Sequence, residues 1–443
     1  MMISFTPKIS SEAKEILNDK ALLLKIGNDV GYPYSIIIPD KIKDNIDLFK
    51  MVFNKHKLRY KIFFAHKCNQ SSEIIKECLK NGINIDVSSL NELKHALKNG
   101  FIGENILSTG PKNKDFIKCA IENNSKISID SLNELETIID VSNELNKKVD
   151  ILIRINSTDS YMIKKSLELL QNKSNVNLIG IAMHFDTVNI KEKIHGISRC
   201  LKIIDKLLTY GFDIRILDIG GGYKINYLDS EEEYQNSISQ IKENIITNDE
   251  ELVWNNYTFG LRVENNTLKG TFNSYDFYDN NVKEKYLDSI LSSAINGRAI
   301  SEIINDYGLE LWIEPGRSLL DNVGLNISKV NFTKKIDGKT LVGIEMNKNQ
   351  ILMGNSEIFV DPIILNNDKI CGFFMVGNLC LESDFIFKRK LFLNQPKVDD
   401  LVAFVNTAGY YMDFEESESI MHDKKKKVII RKEENSFIYY LDN

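Results

Sequence analysis

The sequence predicts a (β/α)8 barrel followed by a second domain of β structure, and three observations predict it. Eight short apolar runs alternate with stretches of helix length, no hairpin turns join those runs, and past residue 320 apolar runs continue without helical partners.

The eight runs fall at 62–65, 83–87, 106–108, 127–130, 151–155, 179–185, 214–219 and 311–314, most of them separated by an amphipathic segment. Strands that alternate with helices pair in parallel, and eight such units close a barrel. A local repeat supports the register. SLNEL occurs at 89–93 and again at 131–135, within IDVSSLNEL and ISIDSLNEL, each time after a strand that ends in aspartate. Ser89 with Glu92 and Ser131 with Glu134 are predicted capping boxes, in which the hydroxyl takes the N3 amide and the carboxylate reaches back to the cap amide. They mark strand-to-helix turns on one rim, a structural role sufficient in itself. After residue 320 come TLVGIEMN, KICGFFMVG and DDLVAFVNTAGYYMDF. With a strand expected over 21–25, these form the second domain. The expected division is a barrel over 36–318 and a β domain from 1–35 and 319–443.

Bulk composition excludes some functions. The 443 residues are 43% hydrophobic, enough for a large core, and the net charge of −6 argues against nucleic acid or an anionic membrane as partner. No apolar run is long enough to span a bilayer, and the start MMISFTPKISSEAKE lacks the apolar region of a signal peptide. Six cysteines stand without CxxC or zinc-ligand spacing, which points to reduced thiols in a cytoplasm and to no metal site.

In such a barrel chemistry belongs at the carboxyl ends of the strands, and unusual polar residues fall there. The first strand runs into Lys67 within YKIFFAHKCNQ. A lysine at a strand end ordinarily just reaches solvent; at a barrel mouth it is also a nucleophile for carbonyl compounds. Asp86 ends the second strand, Arg154 lies in the fifth, His184 ends the sixth within IAMHFDT, LDIGGGY closes the seventh and WIEPGR the eighth. Gly220, Gly221 and Gly222 let backbone amides approach a phosphate, and Arg317 on the next loop adds a guanidinium. The triplet lacks the spacing of a dinucleotide fingerprint, and no P-loop lysine follows it. A lysine, a phosphate cradle, the flat ring of His184 and the carboxylate of Glu314 together suit one cofactor, pyridoxal 5′-phosphate.

Nearly the whole chain resembles the fold-type III pyridoxal-phosphate decarboxylases, the group of diaminopimelate, ornithine and arginine decarboxylases, which join an alanine-racemase-like barrel to a C-terminal β domain. FFAHKCNQ is similar to that family's lysine motif and implies Lys67 as the Schiff-base residue, with Asp86 and Glu92 facing the site. MHFDT implies His184 stacked on the cofactor ring and Thr187 near the phosphate. DIGGGY and EPGR imply cofactor contacts from Gly220, Gly221, Gly222, Gly316 and Arg317, and a pairing of Glu314 with the ring nitrogen. Arg154 joins the cofactor set. In the second domain GNLCLESD implies Cys380 as proton donor, with Asp384 and Glu382 toward the substrate, and NTAGYYMDF implies Tyr410 at the cofactor.

The resemblance implies decarboxylation of an amino acid or a derivative of one, in a homodimer with shared sites. A racemase or a non-catalytic pyridoxal-phosphate protein is the alternative. Racemases of this fold pair the ring nitrogen with arginine, which Glu314 speaks against, and the non-catalytic proteins are barrel only. The departures point to a specialised biosynthetic enzyme. Asp186 stands where glycine is usual, the segment 223–311 is long, and Asp361 precedes Pro362 where diaminopimelate decarboxylases carry an arginine for the distal carboxylate.

Overall fold

The computed structural model describes residues 2–155, 160–171, 175–185, 188–248, 251–354, 356–434 and 436–442. Eight parallel strands close on themselves: β1 (Arg59–Ala65), β2 (Asn84–Val87), β3 (Ile106–Ser108), β4 (Lys126–Ile129), β5 (Val149–Ile155), β6 (Val176–Met183), β7 (Ile216–Asp218) and β8 (Glu310–Ile313). These are the eight expected runs. Isoleucine-rich and buried along most of their length, the strands suit a sheet covered on both faces. The ring closes where Ile62 of β1 pairs with Ile313 of β8.

Phe63, Leu107, Leu152, Ile179, Ala182, Ile216 and Trp312 form one buried cluster. Phe63 and Trp312 meet at 4.7 Å between ring centroids, and the Trp312 indole donates to Glu310 Oε1 at 2.5 Å, so burial leaves no orphaned N–H. Truncating either ring to alanine costs about 3–5 kcal/mol.

Side-chain caps fix the strand-to-helix turns. Ser71, Ser89, Asn113 and Ser131 accept from the amides of Ile74, Glu92, Phe116 and Glu134 at 2.9–3.2 Å. The two predicted capping boxes differ in one bond. Glu92 Oε2 accepts from the Ser88 amide at 2.6 Å and Glu134 Oε2 from the Asp130 amide at 2.8 Å, one residue before the cap in each case. Ser89 and Ser131 are extended, with φ of −151° and −153°, which turns the preceding amide toward the glutamate.

The chain divides into two units, Ile42–Lys224 with Asn281–Leu319, and Met1–Lys41 with Ile225–Asn280 and Leu320–Asn443. The second holds a nine-stranded sheet among its described residues, with path Phe385–Asn394, Ile370–Val376, Lys339–Ile344, Gly324–Ile336, Tyr34–Ile37, Lys426–Glu433 and Ser436–Leu441; Leu401–Val405 branches from Gly324–Ile336 and carries Ile363–Ile364.

Two expectations need correction. Residues 21–25 are not a strand: Lys20–Val30 is an α-helix, capped by Asp19 and burying Leu23, Ile26 and Gly27. A run of leucines has no β-branched stiffness, and the three- and four-residue spacing of its buried positions is helical. The expected barrel over 36–318 is too wide. Ile225–Asn280 belongs to the β unit because its aromatics pack there, Tyr227 against Phe277 and Tyr411, and Phe259 against Phe359.

Arg389 is fully buried in the β unit. It donates to Asp361 Oδ1 at 2.6 Å and lies 4.7 Å and 4.8 Å from the ring centroids of Phe5 and Phe387, while Asp361 Oδ2 accepts from the Phe5 amide at 2.8 Å.

Candidate active site

After β1 the chain turns through His66–Cys68, closed by the Asn69 amide donating to His66 O at 3.1 Å. Lys67 is half-buried on that turn. Ala65 pairs with Asp86, so the neighbouring strand end brings a carboxyl beside the lysine. Asp86 is buried and accepts from the Thr109 hydroxyl. Burial first, then the charge of Glu314, pushes its carboxyl up to about 8, against the pull of the Lys67 ammonium. Glu92 also feels Lys67, but burial keeps its carboxyl above the usual range.

Asp218 pairs with Ala182 of β6 and Trp312 of β8, so His184 and Glu314, each just past its strand, flank it. His184 Nδ1 lies 3.6 Å from Glu314 Oε2 and 3.5 Å from the Gly221 amide nitrogen. One nitrogen cannot donate to the first and accept from the second, and the carboxylate is the stronger partner. Burial pushes the Glu314 carboxyl up, but His184 and Lys67 outweigh it and hold it below the usual range. Asp218 goes the other way: burial, then the Glu314 charge, raises it far above a normal aspartate.

The glycine loop is built for close approach. Gly220 and Gly222 have φ of +66° and +90°, a region side chains resist. A Cβ on Gly220 would lie 2.6 Å from Met183 O, and one on Gly221 2.8 Å from Glu314 O. The Gly220 amide donates to Asp218 Oδ1 at 2.8 Å. Beneath the loop the fully buried Lys193 donates to Gly221 O at 2.8 Å; burial brings its amine down to about 8. Arg317 follows β8 on the helical turn Arg317–Leu320, just past Gly316, and is buried.

Arg154 is engaged within the barrel, its Nε 3.0 Å from Asp130 Oδ1 in an ion contact rather than an aligned hydrogen bond. Thr187 and Asp186 lie outside the described residues. In the β unit Cys380 is an exposed thiol beside exposed Leu381 and Glu382. Asp384, expected at the substrate, is buried instead. It accepts the Lys348 amide at 2.9 Å and the Leu379 amide at 2.7 Å, and so orders the turn that carries Cys380. Tyr410 is half-buried, with φ of +74° and its ring edge-on to Phe414.

Sequence reasoning missed Asp218 and Lys193. The signal for Lys193 was its place on an apolar face, since it shares the buried stripe of Ile190–Thr209 with Gly196, Ile197, Cys200 and Ile204.

The family described as pyridoxal-dependent decarboxylase, pyridoxal binding domain, matches residues 40–166 and 161–265. The chain belongs to that family. It is similar to an uncharacterized protein, y4yA, of Sinorhizobium fredii, 26% identical with 88% of this chain and 86% of that protein covered. The diaminopimelate decarboxylase of Archaeoglobus fulgidus is 22% identical, with 87% and 85% covered. In structure the chain resembles the diaminopimelate decarboxylase of M. jannaschii in complex with L-lysine, with TM-score 0.72, 20% identity, and 92% and 89% covered. The residues present fit the family's cofactor. An open glycine loop, a buried carboxyl held below its usual range and a nearby lysine match a phosphate, a basic ring nitrogen and an aldehyde.

Proposed function

We propose that this pyridoxal-dependent decarboxylase acts on an amino acid or amino-acid derivative that lacks a second, distal carboxylate, in a specialised biosynthetic pathway. The observation that carries the reading is the convergence of Lys67, Asp86, His184, Glu314 and the glycine loop at the carboxyl ends of β1, β2, β6, β7 and β8. When bound, the cofactor supplies an aldehyde for the substrate amine and a ring that takes up the electrons left as CO2 departs. Lys67 would hold the cofactor through its aldehyde, the carbonyl partner its amine suits. Glu314, its carboxyl held below the usual range, would pair with the ring nitrogen and keep a proton there, and His184 would stack on the ring. The amides of Gly220, Gly221 and Gly222, with Gly316, Arg317 and Thr187, would hold the phosphate, and Asp86 and Arg154 would complete the cofactor set.

Cys380 returns a proton to the α-carbon, from the exposed turn that Asp384 orders, with Glu382 and Tyr410. An exposed thiol beside an exposed leucine suits a turn that serves the barrel of a second copy, so the assembly is a homodimer with shared sites. The substrate class rests on Asp361. The family's diaminopimelate enzymes place an arginine there; here the residue is an aspartate already paired with buried Arg389. No described helix is long and apolar enough to cross a membrane, and the six free cysteines support a cytoplasmic place.

Incubation of the purified protein with a panel of amino acids, following released CO2 and product mass, tests the reading. Basic or neutral amino acids should release CO2 and diaminopimelate should not. Turnover of diaminopimelate would overturn the substrate class, and racemised substrate without CO2 would overturn the reaction.

A further inference from the structure

The motif FFAHKCNQ carries a histidine directly before Lys67, and the proposed chemistry gives it no part. His66 is buried, 1% exposed, and its Nε2 lies 2.9 Å from Nδ1 of His95 on the helix Leu90–Lys98. His95 is half-buried, and its own Nε2 lies 3.0 Å from Ser72 Oγ. On the inner side His66 Nδ1 is 4.0 Å from Glu92 Oε1. Glu92 in turn feels the Lys67 ammonium, as do Asp86 and Glu314.

Two ring nitrogens facing each other at 2.9 Å share one hydrogen, so the tautomers of the two neutral rings are linked. In one arrangement His95 Nδ1–H donates to His66 Nε2, which leaves His66 Nδ1–H toward Glu92 and His95 Nε2 accepting from Ser72. In the other His66 Nε2–H donates to His95 Nδ1, His95 Nε2–H donates to Ser72, and His66 Nδ1 is bare toward Glu92. They differ by one proton shifted along the row. A proton taken up at His95 Nε2 therefore frees the one on His66 Nδ1. Glu92 Oε1 lies 4.0 Å off, beyond a direct hydrogen bond, so the last step runs through a bridging water or a turn of the carboxylate, and a proton released by Glu92 runs the same row outward to His95. A buried imidazole and a half-buried one carry a desolvation cost that an apolar pair of the same size would avoid, so the space alone does not account for them.

We propose that Ser72, His95 and His66 form a proton relay between the half-exposed face of the helix Leu90–Lys98 and the Glu92 carboxyl beside Lys67. The proposal rests on the proposed function for its use. A lysine ammonium sheds a proton before it can join an aldehyde, and decarboxylation takes up one proton for each CO2 released. A site covered by its substrate needs a path for both.

The test is the rate at which pyridoxal 5′-phosphate joins Lys67 in full-length protein freed of cofactor, followed by absorbance near neutral pH. His95→Gln keeps hydrogen-bonding capacity but cannot pass a proton. It should slow the reaction about ten- to a hundredfold, with unchanged melting temperature, and imidazole in the buffer should restore most of the rate. His66→Phe should lose the same factor. A wild-type rate in His95→Gln, or a slowing that imidazole leaves untouched, overturns the relay. If the wild-type protein takes up no pyridoxal 5′-phosphate, the proposed function falls and imidazole NMR decides the relay by itself. One downfield N–H···N proton shared by both rings, and lost in His95→Gln, supports it; two rings with independent tautomers overturn it.

Discussion

Glu314 lies in a buried place that ordinarily raises a carboxyl, yet its contact with His184 and the pull of Lys67 hold it below the usual range. Glu314→Gln should therefore retain pyridoxal 5′-phosphate yet lose turnover by about 10²–10³, because an interaction needed mainly in the transition state is removed. Absorbance titration and CO2 release measure the two separately, and unchanged turnover would reopen the racemase reading. Lys193→Met removes the cation under the glycine loop and frees Gly221 O, so cofactor affinity should fall about tenfold for one lost charge-assisted bond, as read by fluorescence titration. The residues legible in the sequence, Lys67, Glu314 and the glycine triplet, sit in short contiguous motifs. Asp218, Lys193 and His95 act through partners on other strands and helices, and only Lys193 left a trace, a charge on an apolar stripe.

Elements were legible where patterning and local chemistry agreed. All eight barrel strands lay where period and spacing put them, since runs of β-branched residues between capped helices leave the chain little alternative. The helix Lys20–Val30 was missed because five apolar-rich residues are too few to distinguish periods. The glycine turn is the most sensitive element. Gly220→Ala combines a φ of +66° with a 2.6 Å clash against Met183 O, so it should fold with the loop displaced and lose most cofactor affinity, measurable by the same titration. In the β unit Glu357 accepts the Lys388 amide at 3.0 Å, and burial lifts its carboxyl from 4.5 to about 7. Below 4.5 both folded and unfolded forms are protonated. Between 4.5 and about 7 the unfolded form loses its proton first, so this group lowers stability as pH rises, with the whole effect present above 7. Glu357→Gln should thus match wild type in melting at low pH and exceed it at pH above 7, by on the order of 3 kcal/mol.

At the scale of the whole molecule the two-domain plan was legible and its boundary was not, because Ile225–Asn280 returns to the β unit through aromatic packing that no periodicity encodes. Assembly can be tested by mixing. Inactive Lys67→Ala and inactive Cys380→Ala proteins, allowed to exchange subunits, should recover about a quarter of wild-type activity if each site draws on both chains of a closed two-fold dimer. No recovery despite proven exchange would assign each site to one chain. The buried Arg389–Asp361 pair has a consequence for how this enzyme could change. Placing an arginine at 361 would set two cations against each other inside an apolar core and, like breaking any buried pair, cost about 3–5 kcal/mol. On the proposed substrate class, an arginine at 361 for a distal carboxylate therefore requires a simultaneous change at 389, so a single substitution cannot broaden the site that way.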